Sequence, residues 1–215
     1  MLFIVRILST ISNNMPSVIT QDDLEKAFRL LAGRLDLAQT ATVRLVVCGG
    51  SALIATGLRQ RTTKDVDIVA LMNSSAHLVS PDPLPDFLLA AAKQVARDLG
   101  LFDNWLNNAP SSGEGGLYQM GLPQGIGERL TAREYGSRLM VYFIGRLDQI
   151  HFKLYAAVDQ RDGTHLTDLR ALKPTDIELD AAARWAMTHD VSEGFKMVLK
   201  ETLRELGHES VAENI

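Results

Sequence analysis

Apolar residues recur at helical spacing over residues 21–37, and a β-branched run follows at residues 43–48. The first pattern predicts a helix, and Thr20 with Asp23 marks its start, because these side chains satisfy free N–H groups of a first helical turn. The second pattern predicts a buried strand that enters a tight turn. The apolar face of the predicted helix consists of Leu24, Phe28, Leu31 and Leu35.

The next segments alternate between helix and strand. Residues 51–57 predict a short helix and residues 64–71 a second strand, and a polar loop with prolines follows at 73–83. A helix at 85–99 has apolar residues on one face and a glycine after its last turn. The stretch 103–127 contains six glycines and predicts a long loop.

Two strands at residues 129–135 and 138–144 flank the pair Gly136-Ser137, which is typical of a β-hairpin turn. Residues 150–158 then predict a helix that leads the chain away from the sheet.

The last part of the chain is helical. Thr175 and Glu178 have the spacing of a capping box, and residues 192–206 form an amphipathic pattern. This order of elements predicts a mixed α/β (α+β) fold, with a sheet flanked by helices and a helical C-terminal part. We expect a single domain, divided into an N-terminal extension at 1–14, a core at 15–160 and a helical C-terminal part at 161–215.

The composition is that of an ordinary globular protein, with 46% hydrophobic and 22% charged residues and a formal net charge of -4. No basic excess points to non-specific nucleic-acid binding. Cys48 is the single cysteine and lies in an apolar run, so we expect a buried thiol and a reducing compartment. The apolar start of the chain is broken by Arg6 and is too short to span a bilayer, so we expect a cytoplasmic protein without a membrane partner.

The first chemical signal is the turn Gly49-Gly50-Ser51, which joins a predicted strand to a predicted helix. Glycine lets the backbone approach an anion closely, and a helix N-terminus presents free N–H groups. Ser51 adds a hydroxyl donor. The turn is therefore a candidate cradle for the phosphates of a nucleotide.

The second signal is Asp65-Val66-Asp67, fourteen residues after Ser51. In a strand, residues i and i+2 share one face, so the two carboxylates would lie side by side. Two neighbouring carboxylates repel each other unless a cation lies between them. Mg²⁺ suits that position, because it prefers oxygen ligands and phosphate partners. Arg61 and Lys64 immediately precede the pair and are candidates for steering phosphate.

The spacing of Gly-Gly-Ser and Asp-x-Asp resembles the signature of the DNA polymerase beta-like nucleotidyltransferase superfamily. Within it, the stretch GGSALIATGLRQRTTKDVDIVAL resembles the AbiEii-like group of bacterial proteins, which includes toxins of toxin–antitoxin systems. The later segment IHFKLYAAVDQRDGTHLTDLRAL is similar to the second conserved block of that group. The two blocks cover about fifty of the 215 residues.

The resemblance implies a nucleotidyltransferase-like fold and a Mg²⁺- or Mn²⁺-dependent transfer of a nucleotide from a nucleoside triphosphate. It implies that Lys153 neutralises a phosphate and that Asp168 either assists the attacking hydroxyl or orders Lys153. The acceptor would be tRNA or another RNA, a protein or a small molecule, and an antitoxin-type partner is implied as well. The residues that the resemblance assigns to the nucleotide phosphates are Gly49, Gly50 and Ser51, and those that it assigns to the metal are Asp65 and Asp67.

One feature departs from the superfamily pattern. Members often carry a third carboxylate on a neighbouring strand, whereas the strand Leu139–Phe143 has no acid, and only Glu134 and Asp148 flank it. A non-catalytic nucleotide-binding or partner-binding module with a degenerate site is therefore the alternative. A dinucleotide-binding Rossmann protein is a poor fit, because the G-x-G-x-x-G fingerprint is missing.

Overall fold

The computed structural model describes residues 18–215, and within them nine α-helices surround a six-stranded mixed sheet. The predicted mixed α/β class is thereby confirmed. The predicted extension, residues 1–14, lies outside the described residues. The helices are α1 Gln21–Leu37, α2 Gly49–Ala55, α3 Asp86–Leu99, α4 Leu117–Met120, α5 Arg146–Gln160, α6 Gly163–Leu172, α7 Asp176–His189, α8 Glu193–Glu205 and α9 Glu209–Asn214. The strands are β1 Val43–Cys48, β2 Val66–Met72, β3 Leu78–Val79, β4 Leu106–Asn107, β5 Thr131–Gly136 and β6 Leu139–Phe143.

The sheet has the order β3-β2-β1-β6-β5, and β4 pairs with the start of β2. Strand β1 lies at the centre, antiparallel to β2 and parallel to β6. Its central position explains the buried apolar run from Leu45 to Cys48, since both faces are covered there. The turn that follows Cys48 therefore emerges in the middle of the sheet edge, directly beside Asp67 of β2.

Several helix ends form as their residues predict. Thr20 and Asp23 make a complete capping box on α1, and Thr175 and Glu178 do the same on α7. Gly100 ends α3 in the left-handed conformation. The buried face of α1 contains all four of its predicted apolar residues.

Two clusters of buried apolar side chains fill the interior. One lies between the sheet and helices α1 and α3, and the other joins α5 to the C-terminal helices. Helix α5 contributes Phe152 to the first cluster and Ile150, Leu154 and Val158 to the second. It is therefore the element that relates the sheet to the helical C-terminal part.

The predicted turn Gly136-Ser137 is wrong by one residue. Gly136 belongs to β5, where a register irregularity pairs it with Leu139, and the turn lies at residues 137–138. A Cβ at Gly136 would lie 2.8 Å from an oxygen of Asp36 and 3.0 Å from the Cβ of Ala32. Glycine is required there because helix α1 packs directly against the strand.

Three other sequence-based predictions differ from the structure. The stretch 103–127, predicted as one long loop, contains β4, α4 and short 3₁₀ turns. Helix α6 was not predicted; Asp162 caps it by accepting the Thr164 N–H. The predicted helix at 51–57 begins two residues earlier, at Gly49. None of the helices within residues 18–215 combines the length and the apolarity needed to cross a membrane.

Candidate functional site

The Gly49-Gly50 turn allows acidic and polar side chains from the neighbouring strand to approach the backbone. Gly49 has a φ of +69°, and a Cβ on it would lie 2.7 Å from Oδ2 of Asp67. A Cβ on Gly50 would lie 2.8 Å from Oγ1 of Thr63 and 3.5 Å from Cζ of Arg61. The glycines therefore make room for Asp67, Thr63 and Arg61, and any larger residue would displace them.

Asp67 and Asp65 lie close together, although only Asp67 belongs to a strand. Asp67 pairs with Cys48 of β1 and with Asn107 of β4, whereas Asp65 immediately precedes the first paired residue of β2. Burial, and then the negative charge of Asp65, raise the pKa of Asp67 to about 7. The structure thus places Asp67 at the glycine turn, with the charge of Asp65 acting on it, and the strand begins at Val66 rather than at residue 64.

A second cluster of charges surrounds Asp168. This residue is fully buried, and its carboxylate contacts Arg59, Arg61 and Lys153, the last at 3.0 Å. Burial alone would raise the pKa of Asp168, but Lys153 and Arg61 hold it below its usual range. A carboxylate that binds three cations is not free to accept a proton, so the geometry favours an ordering role for Asp168 over assistance to a hydroxyl.

Lys153 interacts both with the carboxyl of Asp67 and with the charge cluster around Asp168. It is nearly buried on α5, it is held by Asp168, and its positive charge opposes the upward pKa shift of Asp67. Its Nζ is also 3.4 Å from Nδ1 of His165, whose Nε2 lies 3.0 Å from Oε1 of Gln160. Burial, and then the charge of Lys153, lower the pKa of His165, so its ring is neutral at pH 7. The Gln160 contact assigns the ring proton to Nε2, which leaves Nδ1 to accept from Lys153.

A cavity of about 390 Å³ opens beside these residues. Gly49, Asp67 and Lys153 line it, together with His165 and Cys48. The thiol of Cys48 is buried as predicted, and burial raises its pKa well above the usual value. The cavity lies between the end of β1, the start of β2, the segment 109–117 and helices α5 and α6, so five parts of the chain meet there.

Six predicted site residues do not line the cavity: Gly50, Ser51, Arg61, Lys64, Asp65 and Asp168. The hydroxyl of Ser51 is buried and donates to the Cys48 carbonyl at 3.2 Å, which stabilises the turn from inside. Arg61 binds Asp168, and Lys64 is exposed. Gly50 packs against Thr63, and its missing side chain leaves room for the Thr63 hydroxyl.

Sequence reasoning missed Gln149. This fully buried residue of α5 donates from Nε2 to the Gly49 carbonyl at 3.1 Å, and its Oε1 has no partner within residues 18–215. Gln149 and Lys153 are four residues apart and share one helix face, so α5 fixes the glycine turn and Lys153 together. The spacing Gln149-x-x-x-Lys153 is the sequence signal, but it has meaning only once the helix is known to face the turn.

Neither acid that flanks β6 joins the pair at the turn. Asp148 is buried against Arg129, with contacts of 2.6 and 3.1 Å, and Glu134 lies on the edge strand β5, three strands from β2. No group of three or more His, Cys, Asp or Glu side chains suited to a metal occurs in the described part of the chain. A Mg²⁺ held by Asp65 and Asp67 would therefore take its remaining ligands from water and phosphate rather than from an all-protein cage.

Comparisons of the chain with protein-family models, with curated proteins and with solved structures give no match.

Proposed function

We propose that this chain is a Mg²⁺-dependent nucleotidyltransferase with a nucleotidyltransferase-like fold. The observation that carries the proposal is the close approach of Asp67 to Gly49, which brings a carboxyl with a raised pKa and a glycine turn to one cavity, while the charge of Asp65 acts on Asp67. Burying two neighbouring carboxyls is costly unless a cation neutralises them. A divalent ion carried by a triphosphate supplies that cation, and Mn²⁺ meets the same requirement.

In the proposed reaction, an acceptor hydroxyl oxygen forms a bond to the α-phosphorus of the nucleotide, and the bond from that phosphorus to the pyrophosphate oxygen breaks. Pyrophosphate leaves with the bonding electrons, and the hydroxyl proton passes to solvent. Asp65 and Asp67 hold the metal, which would offset phosphate charge. Lys153 stabilises charge on the phosphates, and Asp168 orients Lys153.

The positive charge around Asp168 supports a polyanionic substrate. Arg59, Arg61 and Lys153 carry three positive charges against the single charge of Asp168. Of these three cations, Lys153 lines the cavity, opposite the charge of Asp67, while the protein as a whole has a net charge of -4. A local cationic cluster in an acidic protein is suited to one small anion rather than to a long nucleic-acid surface.

The acceptor follows from the sequence resemblance alone: an RNA such as tRNA, a protein or a small molecule, with an antitoxin-type partner in the toxin-like case. The second candidate function is a nucleotide-binding or partner-binding module without turnover. Two facts about residues 18–215 favour it, namely the absence of a third acid beside Asp65 and Asp67 and the commitment of Asp168 to three cations.

Calorimetric titration with each nucleoside triphosphate, with and without Mg²⁺, tests the proposal. We expect metal-dependent binding that Asp67→Asn abolishes and that Asp103→Asn leaves intact, because Asp103 is exposed and makes no ion pair within the described residues. Transfer of label from an α-³²P nucleotide to an acceptor then separates an enzyme from a binding module. Metal-independent binding, or binding that survives Asp67→Asn, would refute the site.

A further inference from the structure

The cavity has an apolar wall that phosphates and metal leave unused. Phe152 and Tyr155 of α5 form one side of it, and Ala109, Pro110 and Leu117 of the facing segment form the other. None of these residues offers a charge to a phosphate, so this half of the cavity suits a different part of a ligand. The apolar wall is continuous with the polar residues, since all of them line one cavity.

Trp185 of α7 supports the aromatic side of the wall from behind. Its ring is stacked on Phe152 with centroids 5.6 Å apart and an interplanar angle of 25°, and it meets Tyr155 edge-on at 6.0 Å. Its Nε1 donates to the Gly121 carbonyl at 3.0 Å, close to the segment that forms the facing side. The tryptophan therefore fixes both sides of the apolar wall, and binding to a preformed wall requires little ordering.

We propose that this wall binds the nucleobase, so that the cavity takes a whole mononucleotide with its base between α5 and the 109–117 segment. The inference rests on the proposed function, which places the phosphates at Gly49, Asp67 and Lys153. Aromatic side chains stack on any base, because every base has a π-face. The wall extends along α5 from Phe152 to Asp159, which is about 10 Å of helix.

Size and charge support the same orientation. A volume of about 390 Å³ lies within the range of small-molecule sites, roughly 300–1,000 Å³. Asp159 lies at the far end of the wall and forms no ion pair in the described part of the chain, so its charge repels phosphate there. The triphosphate consequently belongs at the Lys153 end, and the base lies towards Tyr155.

The inference is tested with two probes: a Mg²⁺–nucleoside triphosphate and Mg²⁺–tripolyphosphate, which has the phosphates but no base. We expect the nucleotide to bind wild-type protein at least about five-fold more tightly than tripolyphosphate, because stacking on one aromatic contributes roughly five- to hundred-fold per base. Tyr155→Leu should remove most of that difference and leave tripolyphosphate binding unchanged. The matched control is Phe87→Leu, an aromatic-to-leucine change on the exposed surface of α3, which should alter neither.

Each other outcome overturns the inference in a distinct way. Equal binding of the two probes would refute the base wall and leave the proposed function standing. A difference that persists in Tyr155→Leu and in Phe152→Leu would place the base elsewhere. Failure of both probes to bind would overturn the proposed function as well.

A second measurement needs only the wild-type protein, which guards against a variant that does not fold. Nuclear Overhauser contacts should connect the base protons of the bound nucleotide with ring protons of Tyr155 or Phe152. Contacts to other aromatic side chains alone would refute the wall.

Discussion

Replacing Asp67 with asparagine should make the metal-free protein more stable, and increasingly so as the pH rises. Burial and the charge of Asp65 raise the pKa of Asp67 from an ordinary 3.8 to about 7. The folded protein therefore keeps the carboxyl proton of Asp67 at pH values where the unfolded protein has already lost it. Stability falls as the pH rises from about 4 to about 7, and the cost is fully present above pH 7.

The magnitude follows from the shift. One pKa unit corresponds to about 1.4 kcal/mol, so the full cost to the free energy of unfolding is about 4 kcal/mol at pH 8. At pH 5 most of that cost is absent, because Asp67 is protonated in the folded protein. The stability gap between Asp67→Asn and wild type should widen by about 2–3 kcal/mol between pH 5 and pH 8.

Urea unfolding of both proteins at the two pH values, in the presence of a chelator, measures this gap. Other titrating groups are shared and largely cancel in the difference. Asp103→Asn, at an exposed carboxyl, is the control and should show no such widening. A stability gap that stays constant or narrows with rising pH would show that the pKa of Asp67 is not raised in the folded protein.

The remaining predictions concern residues that hold the glycine turn and Lys153 in position. Gly49→Ala should destabilise the protein by about 1–3 kcal/mol in thermal or urea unfolding, since its Cβ would meet Asp67 in a left-handed backbone conformation; an unchanged stability would contradict the close contact. Asp168→Asn should cost about 3 kcal/mol in the same assay, because it leaves buried Lys153 without its charge partner; a neutral effect would refute the cluster. Gln149→Met should change stability little, since it removes one hydrogen bond and one unpartnered acceptor together, yet it should weaken Mg²⁺–triphosphate binding several-fold in calorimetry; undiminished binding would exclude a role in orienting the turn.

Local signals predicted the elements that carry the site. The apolar run before Gly49 predicted a buried strand that enters a turn, and the Asp65-x-Asp67 spacing predicted two neighbouring acids. The strand inference succeeds because strand burial is set within a few residues, whereas Asp65 precedes β2 and strand alternation does not account for its position.

Contacts between distant segments could not be predicted in the same way. Gln149 reaches a carbonyl one hundred residues away, and Arg59 meets Asp168 across 109 positions. The pair Gly136-Ser137 predicts a turn, whereas Gly136 lies in β5 and its absent side chain makes room for α1. Such roles depend on which elements pack together, and no periodicity in one segment contains that information.

The most direct test of the site is a crystal structure with Mn²⁺ and a non-hydrolysable nucleoside triphosphate. We expect an anomalous peak between the carboxylates of Asp65 and Asp67, with phosphate oxygens bound to the same ion on the Gly49 side. A metal–nucleotide complex bound elsewhere, or a peak that contacts neither carboxylate, would contradict the proposed site.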